Sequence, residues 1–250
     1  MAGTAPQELI NMTRQLGQPH LNLVIIGEGN TSSRVDSHTF WIKASGRGMQ
    51  EIGDSGFVEI YFEGVLDLLD SDLSGAALQE AMMAARVDPN GARPSVEVTF
   101  HSMLLQGCDV NYIGHTHPLA VNQLLCSTRA EQFARNRLFP DEVVLCGPES
   151  VFVPYVDPGL PLAQAIRAQV KRYMDDYGEA PKVILMQNHG LIVLGQSPTE
   201  ILNVTAMCVK AAGIFAGACA VGGPVFMSKA DVLHIYRRPD EIYRRKLFVG

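Results

Sequence analysis

Two apolar runs that each end on histidine constrain this chain more than any other feature, because they aim three imidazoles at one pocket. The first, V-N-Y-I-G-H-T-H-P at residues 110–118, sets His115 and His117 two apart. Side chains at i and i+2 leave the same face of a strand, so both rings are expected to point the same way. Taken alone, that spacing also suits two hydrogen-bonded histidines at a strand end. The second run, P-K-V-I-L-M-Q-N-H-G at residues 181–190, repeats the grammar. It reads as a buried strand, followed by His189 and by a glycine that lets the backbone turn. With Glu97 of P-S-V-E, the three imidazoles would fill the N/O tetrahedron of a zinc ion.

Length and charge narrow the rest. At 250 residues with 47% hydrophobic content, the chain supports one large domain with an ample core. A formal net charge of -6 argues against a nucleic-acid binder that works by phosphate neutralisation, and favours a small-molecule or protein partner. Cys108, Cys126, Cys146, Cys208 and Cys219 are scattered and form no C-x-x-C, the pattern of reduced thiols in a cytosolic compartment. No charged n-region followed by an apolar h-region opens the chain, and residues 201–221 are interrupted by Lys210, Gly213 and Gly217. Neither a signal peptide nor a spanning helix is expected, so a cytoplasmic protein without a membrane partner is.

Taken in order, residues 7–17 have apolar side chains at helical spacing and stop at glycine. G-E-G-N-T-S-S-R at residues 27–34 reads either as a turn or as an anion cradle, with Asn30, Thr31, Ser32 and Ser33 as short donors. T-F-W-I-K-A-S-G at residues 39–46 reads as a strand breaking into a second Gly/Ser turn, with Lys43 available to a negative group. The alternation F-V-E-I-Y-F-E at residues 57–63 makes Glu59 and Glu63 a solvated strand face. Residues 74–87 suit a helix capped by Ser74, and residues 95–106 a helix capped by Ser95 with Glu97 in its first turn. His101, one turn beyond Glu97, reads as a satisfied core histidine in preference to an outer partner of the site.

Further elements are a helix at residues 119–126, short strands within residues 143–153, a helix at residues 162–177 and a strand in L-I-V-L-G. A long Ala/Gly-rich helix starts near Pro198 and Thr199, its small residues suiting close packing. The tail, residues 228–249, interleaves basic residues with Tyr236 and Tyr243.

Together G-E-G-N-T-S-S-R, I-K-A-S-G, P-S-V-E-V-T-F-H, H-T-H-P and Q-N-H-G resemble, in order and spacing, the motifs of the class II aldolase/adducin family, over residues 9–220. F-W-I-K-A-S-G and P-S-V-E are most similar to the rhamnulose-phosphate-aldolase-like branch, while the compact length is similar to the fuculose-phosphate aldolases. The resemblance implies a three-layer α/β/α sandwich around a central, largely antiparallel sheet. It also implies a homotetramer with sites between subunits, so that residues 222–250 form a tail able to reach a neighbour. By the same resemblance, His115, His117 and His189 match the metal-binding histidines, and Glu97 the acid that ligates metal and serves as base. Asn30, Ser45, Gly46 and Ser95 match positions that hold a sugar phosphate. A tyrosine from the neighbouring subunit is the implied second proton donor, and Tyr243, with Tyr236 beside it, is the candidate. One departure matters: Val96 stands where the fuculose-phosphate aldolases have a second serine, so the anion pocket is one hydroxyl short.

The expected reaction is a reversible retro-aldol cleavage of a ketose or ketose 1-phosphate through an enediolate, since a divalent cation is an efficient place for enolate charge. Zinc is the expected metal, and manganese or cobalt would accept the same ligands. Decarboxylation of a keto-sugar acid is the rival, because the same cation serves it and the anion pocket is incomplete. Epimerisation, dehydration and a non-catalytic adducin-like scaffold stand behind these two.

Overall fold

The computed structural model describes residues 3–249. Seven strands form one sheet: β1 (Asn30–Arg34), β2 (Thr39–Lys43), β3 (Phe57–Tyr61), β4 (Tyr112–Thr116), β5 (Val151–Val153), β6 (Val183–Met186) and β7 (Gly190–Gly195). Their order across the sheet is β3-β2-β1-β4-β7-β6-β5. Every neighbouring pair is antiparallel except β5 and β6, whose parallel pairing needs a long crossover.

The helices are α1 (Gln7–Leu16), α2 (Phe62–Leu66), α3 (Gly75–Ala84), α4 (Val98–Gly107), α5 (Leu119–Leu125) and α6 (Ala130–Arg135). After them come α7 (Pro140–Cys146), α8 (Leu160–Tyr177), α9 (Pro198–Ala220), α10 (Lys229–Arg237) and α11 (Pro239–Val249). The β5–β6 crossover is α8.

The central strands are buried on both faces, which is why they read as continuous apolar runs rather than as alternating ones. Alternate residues feed two cores. Phe40, Ile42, Ile184, Met186, Ile192 and Leu194 join α4 and α8 on one face. Trp41, Val183, Leu185, Leu191 and Val193 join α1, α5 and α9 on the other. The result is the expected three-layer sandwich around a largely antiparallel sheet.

Several local expectations change. Residues 30–34 are strand β1 rather than a turn, and Thr31, Ser32 and Ser33 are buried. Thr31 Oγ1 pairs with Thr13 Oγ1 at 2.6 Å and Ser32 Oγ with His101 Nδ1 at 2.7 Å, so neither hydroxyl is offered to an anion. Glu63 lies in α2 and not on the strand face, because the chain turns into helix at Phe62. Residues 143–146 are helical: Pro140 opens α7 at its first turn and only Val151–Val153 is strand. Ser95 is not the N-cap of α4, since the helix begins at Val98 with Glu97 in the capping position, and the Ser95 hydroxyl instead accepts the Glu97 N–H at 3.3 Å. Ser74 precedes α3 without making a capping bond.

Among the described residues α9 alone is long and apolar enough to span a membrane by length and composition. One face of it, with Ile201, Val204, Cys208, Ala212 and Phe215, is buried in the core beside α1 and α5. The tail helices α10 and α11 fold back on α7, with Val143, Val232 and Tyr236 as a small third core, and Arg244 pairs with Asp141 at 2.5 Å. All five cysteines are free thiols.

Candidate metal centre

Strand register assembles the site. In the β1–β4 pair Asn30 lies opposite His115, and in the β4–β7 pair His115 lies opposite Ile192. His117 stands one residue beyond the end of β4, tied by its N–H to Leu23 O at 2.8 Å. His189 sits in the tight turn between β6 and β7, where Asn188 takes φ 56°. That turn is pinned from α5, as Asn122 Nδ2 donates to His189 O at 3.0 Å and Asn188 N donates to Leu125 O at 3.2 Å.

The three rings converge with centroids 4.8, 5.1 and 5.2 Å apart, and their ligand nitrogens lie within 4.8 Å of one another. Glu97, at the start of α4, completes the group: Oε1 is 3.2 Å from His189 Nε2 and Oε2 is 3.4 Å from His115 Nε2. His115 Nδ1 lies 3.0 Å from Leu191 O. A carbonyl only accepts, so Nδ1 carries the proton and the Nε2 lone pair faces the cluster. That lone pair is 3.1 Å from His117 Nε2. Zinc with nitrogen ligands at about 2.0–2.1 Å sets tetrahedral neighbours about 3.3 Å apart. The donors therefore fit a small divalent cation in both chemistry and spacing.

Electrostatics agree. Burial holds His115 below the ordinary histidine range, and burial with the neighbouring imidazoles brings His117 down to about 4. Both rings are therefore neutral near pH 7, as metal ligands must be. For Glu97, burial works to raise the carboxyl, but the attraction of His115 and His189 when they are protonated, together with the Asn30 amide, outweighs it and lowers the group.

The anion residues divide. Asn30 and Ser95 join the cluster: Asn30 Nδ2 donates to Glu97 Oε2 at 2.6 Å and to Ser95 Oγ at 3.3 Å. Ser45 and Gly46 form an exposed turn after β2, held by Ser45 N to Arg93 O at 2.9 Å, with Gly46 at φ 72°. Beneath it Lys43 is buried, donating to Arg47 O at 2.6 Å and Gly27 O at 3.4 Å, and burial lowers its ammonium to about 8. Lys43 is thus spent on clamping two loops. Tyr243 is 67% exposed on α11, which packs chiefly on α7, α9 and α10, so within one chain it is not brought to the cluster. Tyr236 is buried in the small third core.

One neighbour, Glu28, was not read from the sequence, and for the other, His101, the sequence reading prefers a satisfied core histidine to an outer partner of the site. Glu28 Oε1 lies 3.7 Å from His117 Nδ1, and His101 bonds through Nε2 to Asn30 Oδ1. The G-E-G-N and E-x-x-x-H spacings carried both signals.

Gly190 is required by close approach. A Cβ there would meet Thr116 O and His117 Cδ2, each at 2.7 Å. Gly190→Ala should force the two strand ends apart, destabilise the protein by about 1–3 kcal/mol and weaken divalent-metal binding about tenfold or more. Thermal melts and competition against a chromophoric chelator measure both. Wild-type metal affinity in this variant would contradict the packing account.

Comparison with known proteins bears on the same architecture. The family described as Class II Aldolase and Adducin N-terminal domain matches residues 7–216. An uncharacterized oxidoreductase of Bacillus subtilis, YuxG, is 24% identical over 195 residues, which cover 74% of this chain and 26% of the relative. The chain thus spans about a quarter of that curated relative's length. Among solved structures, an L-fuculose 1-phosphate aldolase superposes with TM-score 0.69 at 20% identity, covering 93% of this chain and 96% of the other. The N-terminal class II aldolase domain of a conserved protein from Thermoplasma acidophilum gives 0.66 at 22%, covering 86% and 97%. At these identities the structural likeness is one of fold, and the match along residues 7–216 carries the assignment: the chain belongs to the class II aldolase and adducin N-terminal domain family.

Proposed function

We propose that this protein is a zinc-dependent aldolase that reversibly cleaves a ketose or ketose 1-phosphate. The observation that carries the reading is the convergence of three imidazoles and one ionised carboxylate at the meeting of β4, the β6–β7 turn and α4. His115, His117 and His189 would hold the cation, with Glu97 as a fourth ligand that substrate can displace. A divalent cation there would supply Lewis-acid stabilisation of negative charge developing on the substrate's carbonyl oxygen.

The chain's own groups perform the rest. Glu97 takes the proton from the substrate hydroxyl as the carbon–carbon bond breaks, its electrons move toward the carbonyl, and the proton returns to carbon. Asn30 keeps the carboxylate oriented through the 2.6 Å bond and releases its longer bond to Ser95 when an anionic substrate group arrives. Ser45 and Gly46 add backbone and hydroxyl donors for that group. The same reading makes the protein a cytoplasmic homotetramer built from one domain per chain, with Tyr243 of a neighbouring copy as second proton donor and manganese or cobalt as tolerated substitutes.

One observation favours a second reading. Val96 is 42% exposed and lines a small cleft with Met82 and Met83, so no hydroxyl takes its place in an anion pocket. A carboxylated substrate losing carbon dioxide would need fewer phosphate donors. Metal content and product analysis on a panel of ketose 1-phosphates, free ketoses and keto-sugar acids separate the two. An aldehyde with dihydroxyacetone or its phosphate supports the aldolase, and carbon dioxide without aldehyde overturns it in favour of the decarboxylase. Protein that purifies without divalent metal and gains no activity from it would leave a scaffold.

A further inference from the structure

Behind Glu97 a chain of hydrogen bonds runs into the core, and its direction is fixed from the carboxylate end. Carboxylates only accept, so the Asn30 amide must turn its nitrogen to Glu97 and its Oδ1 away. Oδ1 meets His101 Nε2. An amide oxygen also only accepts, so Nε2 carries the proton. His101 is fully buried, and burial brings it down to about 3, which leaves the ring neutral with a lone pair on Nδ1. The partner of Nδ1 is Ser32 Oγ at 2.7 Å, whose hydroxyl must then donate. Ser32, His101, Asn30 and Glu97 thus form one directed series in which each polarity compels the next.

The series exists because two periodicities match. Asn30, Ser32 and Arg34 leave one face of β1, spaced by two residues or about 6.7 Å of strand. Glu97, His101 and Leu105 follow along α4, spaced by four residues or about 6 Å of helix. The three rungs are Asn30 to Glu97, Ser32 to His101 and Arg34 to the Leu105 carbonyl. His101 is further fixed by stacking on Phe100 at 4.8 Å, and Phe100 sets its edge against the His115 ring at 5.8 Å.

We propose that His101 is a positioning residue for the metal centre: with Ser32 it locks the Asn30 amide so that an N–H, and never the carbonyl, faces Glu97. This rests on reading Glu97 as the working carboxylate. If the lock is lost, the Asn30 amide can turn over. Its carbonyl then faces the carboxylate, two acceptors repel, and Glu97 swings away from His115 and His189. Outer residues that orient metal ligands in this manner typically change metal affinity or activity by 10–100-fold.

The first test uses wild-type protein with 15N-labelled histidine, with and without added zinc. The expected spectrum has His101 protonated at Nε2 and bare at Nδ1; the opposite tautomer overturns the proposal. The second compares zinc affinity by chelator competition in three variants. His101→Phe keeps the ring stacking but has no donor, and should weaken zinc about 10–100-fold. His101→Gln restores an N–H near the Nε2 position and should recover most of that loss, with Ser32→Ala falling between. A folded His101→Phe variant with wild-type zinc affinity, or a His101→Gln variant no better than it, also overturns the proposal. If His101→Phe fails to fold, the tautomer measurement decides. None of these readouts uses turnover, so a chain that cleaves no sugar would sink the proposed reaction and leave the relay standing.

Discussion

Glu97→Gln is expected to lower turnover by about 10²- to 10⁴-fold, the range of a lost general acid–base group, while leaving the fold intact. The reasoning starts from shape. Glutamine is isosteric, and its carbonyl can still accept from Asn30 Nδ2, which now donates to Glu97 at 2.6 Å. Its amide end would then stand where Oε1 does, 3.2 Å from His189 Nε2, and donate toward that nitrogen. No buried polar atom is therefore orphaned, and the melting temperature should move little. What disappears is the negative charge that faces His115 and His189. Zinc should bind more weakly, and the neighbouring carboxylate of Glu28 lies against His117 rather than in the place of Glu97, so it does not replace the lost base. Steady-state kinetics on the best substrate of the panel, beside a thermal melt, checks both halves. A variant retaining wild-type kcat would remove Glu97 from the chemistry, whereas one that simply unfolds would mark it as structural.

Arg137→Met should destabilise the protein by about 3–5 kcal/mol, the cost of breaking a buried pair by removing one partner. Arg137 is 2% exposed at the junction of α6, α7 and β5. Its guanidinium donates to Gly147 O at 2.8 Å, Asn136 O at 3.1 Å, Cys146 O at 3.2 Å and Ser150 Oγ at 3.1 Å, and lies 3.7 Å from Glu142 Oε1. Methionine fills the volume and satisfies none of these acceptors. Such a loss is a large part of the 5–15 kcal/mol that typically separates folded from unfolded.

The remaining Glu142 gives the effect a pH signature. Burial already raises its carboxyl in spite of Arg137, and loss of the guanidinium raises it further. A carboxyl whose folded pKa lies above its unfolded value binds its proton more readily when folded. It therefore costs stability wherever it is ionised, and the deficit shrinks as pH falls through the folded pKa. Denaturant melts of the variant should show a smaller deficit in mild acid than at neutral pH. The double variant Arg137→Met/Glu142→Gln should recover part of the loss at neutral pH. A deficit independent of pH, with no recovery in the double variant, would attribute the effect to packing alone. Neither residue belongs to the metal centre, so activity per folded molecule is expected to persist.

Local pattern carried much of this protein. The apolar runs before His115 and His189 became the central strands β4 and β6 because continuous hydrophobicity suits a strand covered on both faces. Gly17 and Gly178 stop α1 and α8 where glycine was expected to. Patterns failed where a neighbour decided the matter. Short polar residues in T-S-S are turn formers by composition, yet Thr13 and His101 supply the partners that let Thr31 and Ser32 sit buried in a strand. Residues 143–146 have β-branched character, yet Pro140 at the first turn and packing against α9 and α10 make them a helix.

By itself the sequence determined which residue types meet: imidazoles at strand ends, a carboxylate at a helix start, glycines where the chain must turn. Those depend on spacing within a few residues, and period-2 and period-3.6 geometry translate spacing into direction without outside help. Only the tertiary structure decided the rest. The Asn30–His101 link joins residues 71 apart, the Arg137 cluster is set by loops folding around one guanidinium, and Tyr243 is directed to a surface away from the cluster in its own chain. Each of these is a matter of strand register and helix docking, in which a shift of a single residue would exchange every partner.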